Sequence, residues 1–178
     1  MKIYSYPFKS PFGTFRITAT PKGLYSLEEV KERKRKRSET LKDRIPPRID
    51  SLLRLAAREI LFFLEGKRVY FQSLPIDWTG YGTFEKKVLR ELRKIPWGST
   101  QTYQSLARRA CRPQAARAVG RVLHHNRLPF VLPCHRIVLK GGGLGGFSRG
   151  LRVKRRLLKL ESRRVDKKDA KDQEICQI

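Results

Sequence analysis

The chain has one asparagine, Asn126, and only three histidines and three cysteines in 178 residues. The cysteine count is odd. Cys111, Cys134 and Cys176 follow no framework spacing, which argues against a disulfide-stapled fold. No C-x-x-C pair occurs, and Cys111, His124, His125, Cys134 and His135 match no common finger spacing, which argues against a zinc site. No uncharged apolar run is long enough to span a bilayer, and the opening "MKIYSYPFKSPFG" has no apolar signal core. These absences predict a cytoplasmic protein with free thiols, or a nucleoid-associated one in a prokaryote. Acidic residues are also scarce. Sixteen Asp+Glu face 41 Lys+Arg, a formal charge of +25. A field of that sign attracts polyanions, and nucleic acid is the first partner it suggests. Asparagine depletion beside abundant Lys and Arg is also a thermophile signature, and it makes Asn126 conspicuous.

What is present organises the chain into two parts. Residues 3–30 read as a hairpin or small sheet. In "GTFRITAT" Phe15, Ile17 and Ala19 alternate with polar residues, and Pro21–Lys22–Gly23 reads as a turn. The run "KERKRKR" (31–37), six of seven basic, is expected to be a solvated loop or edge. "SLLRLAAREILFFLEG" predicts a buried helix capped by Asp50 or Ser51 and ended by Gly66. Pro75, Gly80 and Gly82 mark a boundary, placed between residues 78 and 79.

The second part opens with a helix over 83–95, with Thr83 as cap and Phe84, Val88, Leu89 and Leu92 on one face. A short helix follows over 102–110, capped by Thr102. After "CR", Pro113 suits the first position of a further helix, "PQAARAVGRVLHH". Two helices with so short a join predict a helix-turn-helix. On the second wheel Ala115, Val119, Val122 and Leu123 face inward. Gln114, Arg117, Arg121 and His124 face outward, and Ala116 and Gly120 sit at the edges. A small flank beside a basic face suits close approach to a minor groove only about 6 Å wide. An ordinary amphipathic surface helix has the same pattern. The last helix, 151–161, places Leu151, Val153, Leu157, Leu158 and Leu160 on one half, with Glu161 among them. An inward carboxylate needs a partner: Lys154 nearby, or a histidine in a reactive site. Residues 162–178 lack periodicity and are expected to be disordered.

Chemistry concentrates in "LPFVLPCHRIVLKGGGLGGFSRG" (128–150). Most buried cysteines are inert. Cys134, however, keeps company with His135, Arg136, a glycine-rich loop and the inward Glu161, and a base or positive field turns a thiol into a nucleophile. A thiol hydrolase would need a histidine facing the thiol, and no oxyanion motif is evident. The loop "KGGGLGG" lacks the Gly-Lys-Ser/Thr ending of a phosphate-binding loop.

"IPWGSTQTYQSLA", "PQAARAVGRVLHHN", "LPCHRIV", "GGLGGFSRG" and "LLKLE" stand in the order and spacing of the O6-alkylguanine-DNA alkyltransferases, also called methylated-DNA–protein-cysteine methyltransferases. The resemblance covers residues 83–161. It implies an α/β, α+β-type, two-domain fold. Residues 1–78 would form a small RNase H-like sheet domain with a helix, and 79–161 a mostly helical domain with a helix-turn-helix and an active-site loop. It implies a monomer acting on double-stranded DNA that contains O6-alkylguanine, with O4-alkylthymine as a further substrate, and no metal or organic cofactor. It implies that Cys134 accepts the alkyl group, His135 acts as base through a water, Glu161 orients His135, Asn126 is a hinge, and Tyr103 supplies a proton. Arg117 resembles the finger that enters the base stack. Gln114, Ala115, Ala116, Gly120 and Arg121 belong to the DNA-binding face. Ile137, Phe147, Ser148 and Arg149 belong to the base pocket. Phe147 replaces a frequent tyrosine, and Arg149 stands where a small residue is common; it is expected to touch phosphate or narrow the pocket. The competing readings are a non-catalytic alkyltransferase-like damaged-base binder, and a basic helix-turn-helix protein with no lesion preference.

Overall fold

The computed structural model describes residues 1–30 and 45–162. The basic run at 31–37 and the tail beyond Ser162 lie outside the described residues. The chain begins as an antiparallel meander of β1 (Tyr4–Ser10), β2 (Gly13–Thr20) and β3 (Gly23–Glu29). Pairing runs from Tyr4↔Ala19 to Ser10↔Gly13, and from Phe15↔Glu29 to Thr20↔Gly23, with an irregularity at Thr18/Ala19. The alternation in β2 is realised: Phe15, Ile17 and Ala19 are all buried. Gly23 closes the expected turn at φ 139°, and a Cβ there would lie 2.6 Å from the Pro75 backbone. Only glycine lets residues 75–76 run alongside β3, where Leu24 bridges Ile76.

Helix α1 (Pro47–Leu64) covers one face of this sheet. It starts earlier than the expected Asp50/Ser51 cap because Pro47, whose fixed φ suits a first turn, initiates it. Asp50 falls inside that turn and accepts from Arg54 Nε at 2.7 Å. Gly66 ends the helix as anticipated, at φ 87°. A short 3-10 turn, Phe71–Ser73, leads to α2 (Thr83–Arg93). Thr83 is not its cap. Gly82 holds that position, and Glu85 reaches back to accept the Gly82 N–H at 2.7 Å.

Strand β4 (Gln101–Thr102) leads directly into α3 (Tyr103–Arg109), where Thr102 is the expected cap and accepts from the Ser105 N–H at 3.1 Å. Helix α4 (Ala116–His124) packs on α3, forming the predicted helix-turn-helix. It begins after Pro113, not at it. The chain leaves α3 through Cys111 at φ 59°, and residues 112–115 complete the turn, with Ala115 N–H donating to Arg112 O at 2.9 Å. The wheel of α4 stands: Val119, Val122 and Leu123 are buried, and Arg117, Arg121 and His124 exposed. Beyond it come a 3-10 turn at Cys134–Arg136, β5 (Ile137–Val138) and α5 (Leu151–Ser162). In α5, Leu157 is buried but Leu151, expected on the same apolar half, is 47% exposed.

One hydrophobic core joins the two parts. Phe63 of α1 is its hub, with ring centroids 5.4–5.8 Å from Phe71, Trp97, Phe130 and His135. Burying such a ring is worth about 1.5–3 kcal/mol, and this one also forms a wall behind the reactive segment. β4 and β5 pair in parallel, Gln101↔Ile137 and Thr102↔Val138. That two-residue ladder sets the start of α3, and so Tyr103, beside the segment that carries Cys134. Among the described residues no helix is long and apolar enough to cross a membrane.

Candidate active site

After α4 the chain must turn back sharply for Cys134 to meet Asn126. Phe130 makes that reversal at φ 75°, a conformation bulky side chains avoid at a cost of about 1–3 kcal/mol. Packing against Phe15 and Phe63, with centroids at 5.9 and 5.7 Å, holds it there. The Leu132 N–H donates to Leu128 O at 2.9 Å across the turn. Asn126 closes it from inside. Its Oδ1 accepts from Leu128 N–H at 3.0 Å, and its Nδ2 donates to Leu132 O at 2.9 Å and to Cys134 Sγ at 3.3 Å. The lone asparagine therefore ties the end of α4 to the thiol.

Cys134 is 5% exposed and His135 is fully buried. His135 Nε2 meets Glu161 Oε1 at 2.8 Å. Arg136 clamps the same carboxylate with Nε at 3.0–3.1 Å and Nη2 at 2.8 Å, and donates Nη1 to Ile95 O at 2.6 Å. Of the two partners considered for the inward Glu161, histidine is the one found. Lys154, also buried, instead donates to the Ile137 carbonyl and to Gly146 O at 3.3 Å. It therefore ties α5 to both β5 and the glycine loop.

The charges follow from this geometry. Burial alone would raise the Glu161 carboxyl, but hydrogen bonds and charge from His135 and Arg136 outweigh it and hold it down to about 2. Glu161 is thus a carboxylate, an acceptor only, and the proton of neutral His135 sits on Nε2. Nδ1 keeps its lone pair, and it is buried with no partner within the protein. Burial pushes His135 below its ordinary 6.5 despite Glu161, so the ring is neutral and basic near neutral pH. Burial pushes the Cys134 thiol up. The Asn126 hydrogen bond and the Lys154 and Arg149 charges pull the other way without overcoming it. Lys154 itself is brought down by burial to about 8 and stays largely charged at pH 7. The resting pair is a thiol beside a neutral imidazole, which needs a proton transfer to become a nucleophile.

Cys134 opens into a cavity of about 400 Å³. Tyr103, Gly120, Leu123 and His124 form one side of it, and Gly146, Phe147 and Ser148 the other. The volume falls in the range of small-molecule pockets. Tyr103 is half-buried, and burial together with the nearby Cys134 raises its hydroxyl pKa, keeping it a proton donor. Gly145 lies against it at φ 65°, where a Cβ would come within 3.0 Å of the Tyr103 hydroxyl. A side chain here would push the loop off the tyrosine.

The expected site residues therefore divide. Cys134, His135, Glu161 and Asn126 form one bonded cluster, with Tyr103, Gly120, Phe147 and Ser148 around the adjoining cavity. Arg117 and Arg121 lie exposed along α4. Gln114 is exposed in the turn before it, with Ala115 and Ala116 half-buried at its start. Two of the expected pocket residues stand apart from the cavity lining. Ile137 is fully buried and does not line the cavity; its carbonyl is engaged by Lys154. Arg149 does not line it either. It turns toward the N-terminal sheet, pairing with Glu29 at 3.4 Å and Leu27 O at 3.2 Å and lying over Phe15 and Phe130. The apolar ring faces and the acidic strand end outcompete the pocket for this guanidinium. The sequence reading named Arg136 only as company for Cys134 and Lys154 only as a possible partner of Glu161, and missed that Arg136 clamps Glu161 and that Lys154 holds the Ile137 and Gly146 carbonyls. Lys154 carried a signal, seven residues before Glu161 and hence on its face of the helix. Among the described residues no group of three or more His, Cys, Asp or Glu is placed to hold a metal ion.

A basic helix-turn-helix set beside a pocket lined by a cysteine, with an acid-backed histidine next to that cysteine in the chain, defines a DNA-binding protein with a thiol at its pocket. Comparisons sharpen that class. The family profile described as 6-O-methylguanine DNA methyltransferase, DNA binding domain, matches residues 83–163. The chain is 35% identical over 160 residues to a methylated-DNA–protein-cysteine methyltransferase of Methanosarcina barkeri, covering 89% of this chain and 97% of that one. The crystal structure of Mycobacterium tuberculosis O6-methylguanine methyltransferase superposes with TM-score 0.73 and 26% identity, over 93% of this chain and 96% of that chain. The Mycobacterium tuberculosis OGT in complex with DNA gives TM-score 0.70 and 28% identity, over 88% and 91%. The chain belongs to the methylated-DNA–protein-cysteine methyltransferase family.

Proposed function

We propose that this chain repairs DNA by direct reversal, moving the alkyl group of O6-alkylguanine in duplex DNA onto Cys134. The observation that carries this reading is the Cys134 thiol at the floor of the cavity, held by Asn126 and followed by the His135–Glu161 pair. In the reaction the thiol proton passes through a water to His135 Nδ1, and Glu161 stabilises the imidazolium that forms. Sulfur attacks the alkyl carbon, the carbon–O6 bond breaks, and the Tyr103 hydroxyl supplies a proton to the leaving guanine. The product thioether is a very poor leaving group, so each molecule acts once.

The base reaches the thiol by leaving the duplex, a step that costs a few kcal/mol and costs least for a weakly paired lesion. Arg117, exposed near the start of α4, fills the space left in the stack. Arg121 and Gln114 contact the backbone, and Ala115, Ala116 and Gly120 allow close groove approach. Phe147 and Ser148 bound the flipped base. The unit of residues 1–78 supports the site, and residues 79–161 carry DNA binding and transfer. The start of the family match at Thr83 supports that division. The protein acts as a monomer in the cytoplasm or on the nucleoid.

Incubation with duplex DNA bearing radiolabelled O6-methylguanine tests the reading. Label is expected on protein and saturates at one per chain. Tight lesion binding with no label would establish a non-catalytic damaged-base binder instead. Equal affinity for intact and damaged duplex, without label, would leave only a basic DNA-binding protein.

A further inference from the structure

Arg127 directly follows the asparagine that holds the thiol, and its guanidinium face, its Nη2 and both main-chain groups engage the N-terminal part of the molecule or the connection that follows it. Its guanidinium lies between two tyrosine rings, 4.2 Å from the centroid of Tyr25 on β3 and 4.1 Å from that of Tyr81. Its Nη2 donates to Thr79 O at 2.8 Å. Its backbone N–H donates to the Tyr81 hydroxyl at 3.1 Å, and its backbone carbonyl accepts the Leu27 N–H of β3 at 2.7 Å. A flat cation between two π faces with both main-chain groups bonded has little freedom left. The neighbouring residue, Asn126, then has its own backbone fixed from one side. From that fixed point its side chain reaches Leu132 O at 2.9 Å and Cys134 Sγ at 3.3 Å.

We infer that Arg127 is a positioning residue for the transfer reaction: the Tyr25–Arg127–Tyr81 stack sets Asn126, and through it the Cys134 sulfur, against the base pocket. This rests on Cys134 being the acceptor, as proposed above. The stack makes β3, far from the DNA-binding helices in sequence, a mechanical part of the reaction. It predicts that damage to the stack slows transfer without weakening DNA binding, because no group of Arg127 belongs to α4 or to the cavity lining. It also predicts that Arg127 acts through Asn126 and through nothing else.

The test is a double-mutant cycle on single-turnover transfer. Rates are measured from labelled O6-methylguanine duplex and from the free methylated base, and duplex Kd is measured separately. Arg127→Ala is expected to slow transfer about tenfold from both substrates, with Kd changed less than about twofold, since small misplacements at a reacting centre cost tenfold or more. In an Asn126→Ala background the same substitution should cost nothing further. Tyr81→Phe, which removes only the hydroxyl that receives the Arg127 N–H, should slow transfer about two- to threefold on the same grounds. If Arg127→Ala does not fold, Tyr81→Phe decides, and transfer at the wild-type rate overturns the inference. Losses that multiply with Asn126→Ala overturn it, as does a folded Arg127→Ala with lowered Tm and unchanged rate. Wild-type chain that takes up no label would overturn the functional reading and this inference together. Wild-type transfer beside an unimpaired Arg127→Ala overturns the positioning role alone.

Discussion

The two described cysteines occupy opposite kinds of neighbourhood. Cys111 stands exposed in the turn between α3 and α4, at φ 59°, with Arg109 O at 4.0 Å from its sulfur. Cys134 is buried against a cavity, hydrogen-bonded by Asn126, and followed by a histidine that a carboxylate and an arginine hold in one orientation. By accessibility alone Cys111 is the better nucleophile. On the proposed reading, the surroundings of Cys134 supply what exposure cannot: a place for the electrophile, a hydrogen bond to the developing thiolate, and a base with a defined lone pair. Competence belongs to the arrangement, not to the thiol.

The strongest way to break this comparison is to remove Cys134. Cys134→Ala should abolish transfer from O6-methylguanine duplex while duplex Kd, read by fluorescence anisotropy, moves less than about twofold, because the binding helix is untouched. Uptake of label by the variant would mean that Cys111 or Cys176 serves.

Glu161→Gln should slow transfer by about 10²–10³, the scale of losing an oriented general base. It should also destabilise the fold by about 3–5 kcal/mol in urea titrations, because Arg136 is left charged and buried without its partner. The same cluster sets the pH response. Glu161 is depressed when folded, so its contribution to stability is present above its ordinary 4.5 and is lost as pH falls toward about 2. His135 is also depressed, so the folded state resists a proton that the unfolded chain accepts as pH falls through 6.5. Both terms act in one direction. Stability should decline on acidification below about pH 6.5, and Glu161→Gln should flatten the lower part of that decline.

Arg117→Ala should cut transfer from duplex about tenfold while leaving transfer from the free base nearly unchanged, since the finger acts only where a base must be held out of the stack. Equal losses on the two substrates would remove that role. The smallest effect belongs to the other thiol. Cys111→Gly should leave the transfer rate unchanged and raise stability by about 1 kcal/mol, because glycine adopts a positive φ without the side-chain penalty.

The regions also differ in how far the residues alone disclosed them. The periodicity of β2 and α4 reported faces correctly because packing follows local alternation. The inward Glu161 was visible on its wheel for the same reason. Helix starts were displaced where Pro47, Glu85 and the left-handed Cys111 decided the geometry, since capping depends on the turn before the helix as much as on the residue within it. The direction Arg149 takes was not legible because the pocket residues Phe147 and Ser148 are its sequence neighbours, whereas the rings of Phe15 and Phe130 that it lies over are brought to it only by the fold. The clamp of Arg136 on Glu161 was not legible because its orientation depends on the 3-10 turn at 134–136, which no pattern announces. The tyrosine stack around Arg127 joins residues 25, 81 and 127 and has no local signature at all.

Peptide mapping by tandem mass spectrometry, after one equivalent of O6-methylguanine duplex has reacted, tests the central claim most directly. The account predicts a single methyl, on Cys134, with Cys111 and Cys176 unmodified. A methyl on either of those cysteines, or guanine release with no modified cysteine, would contradict it.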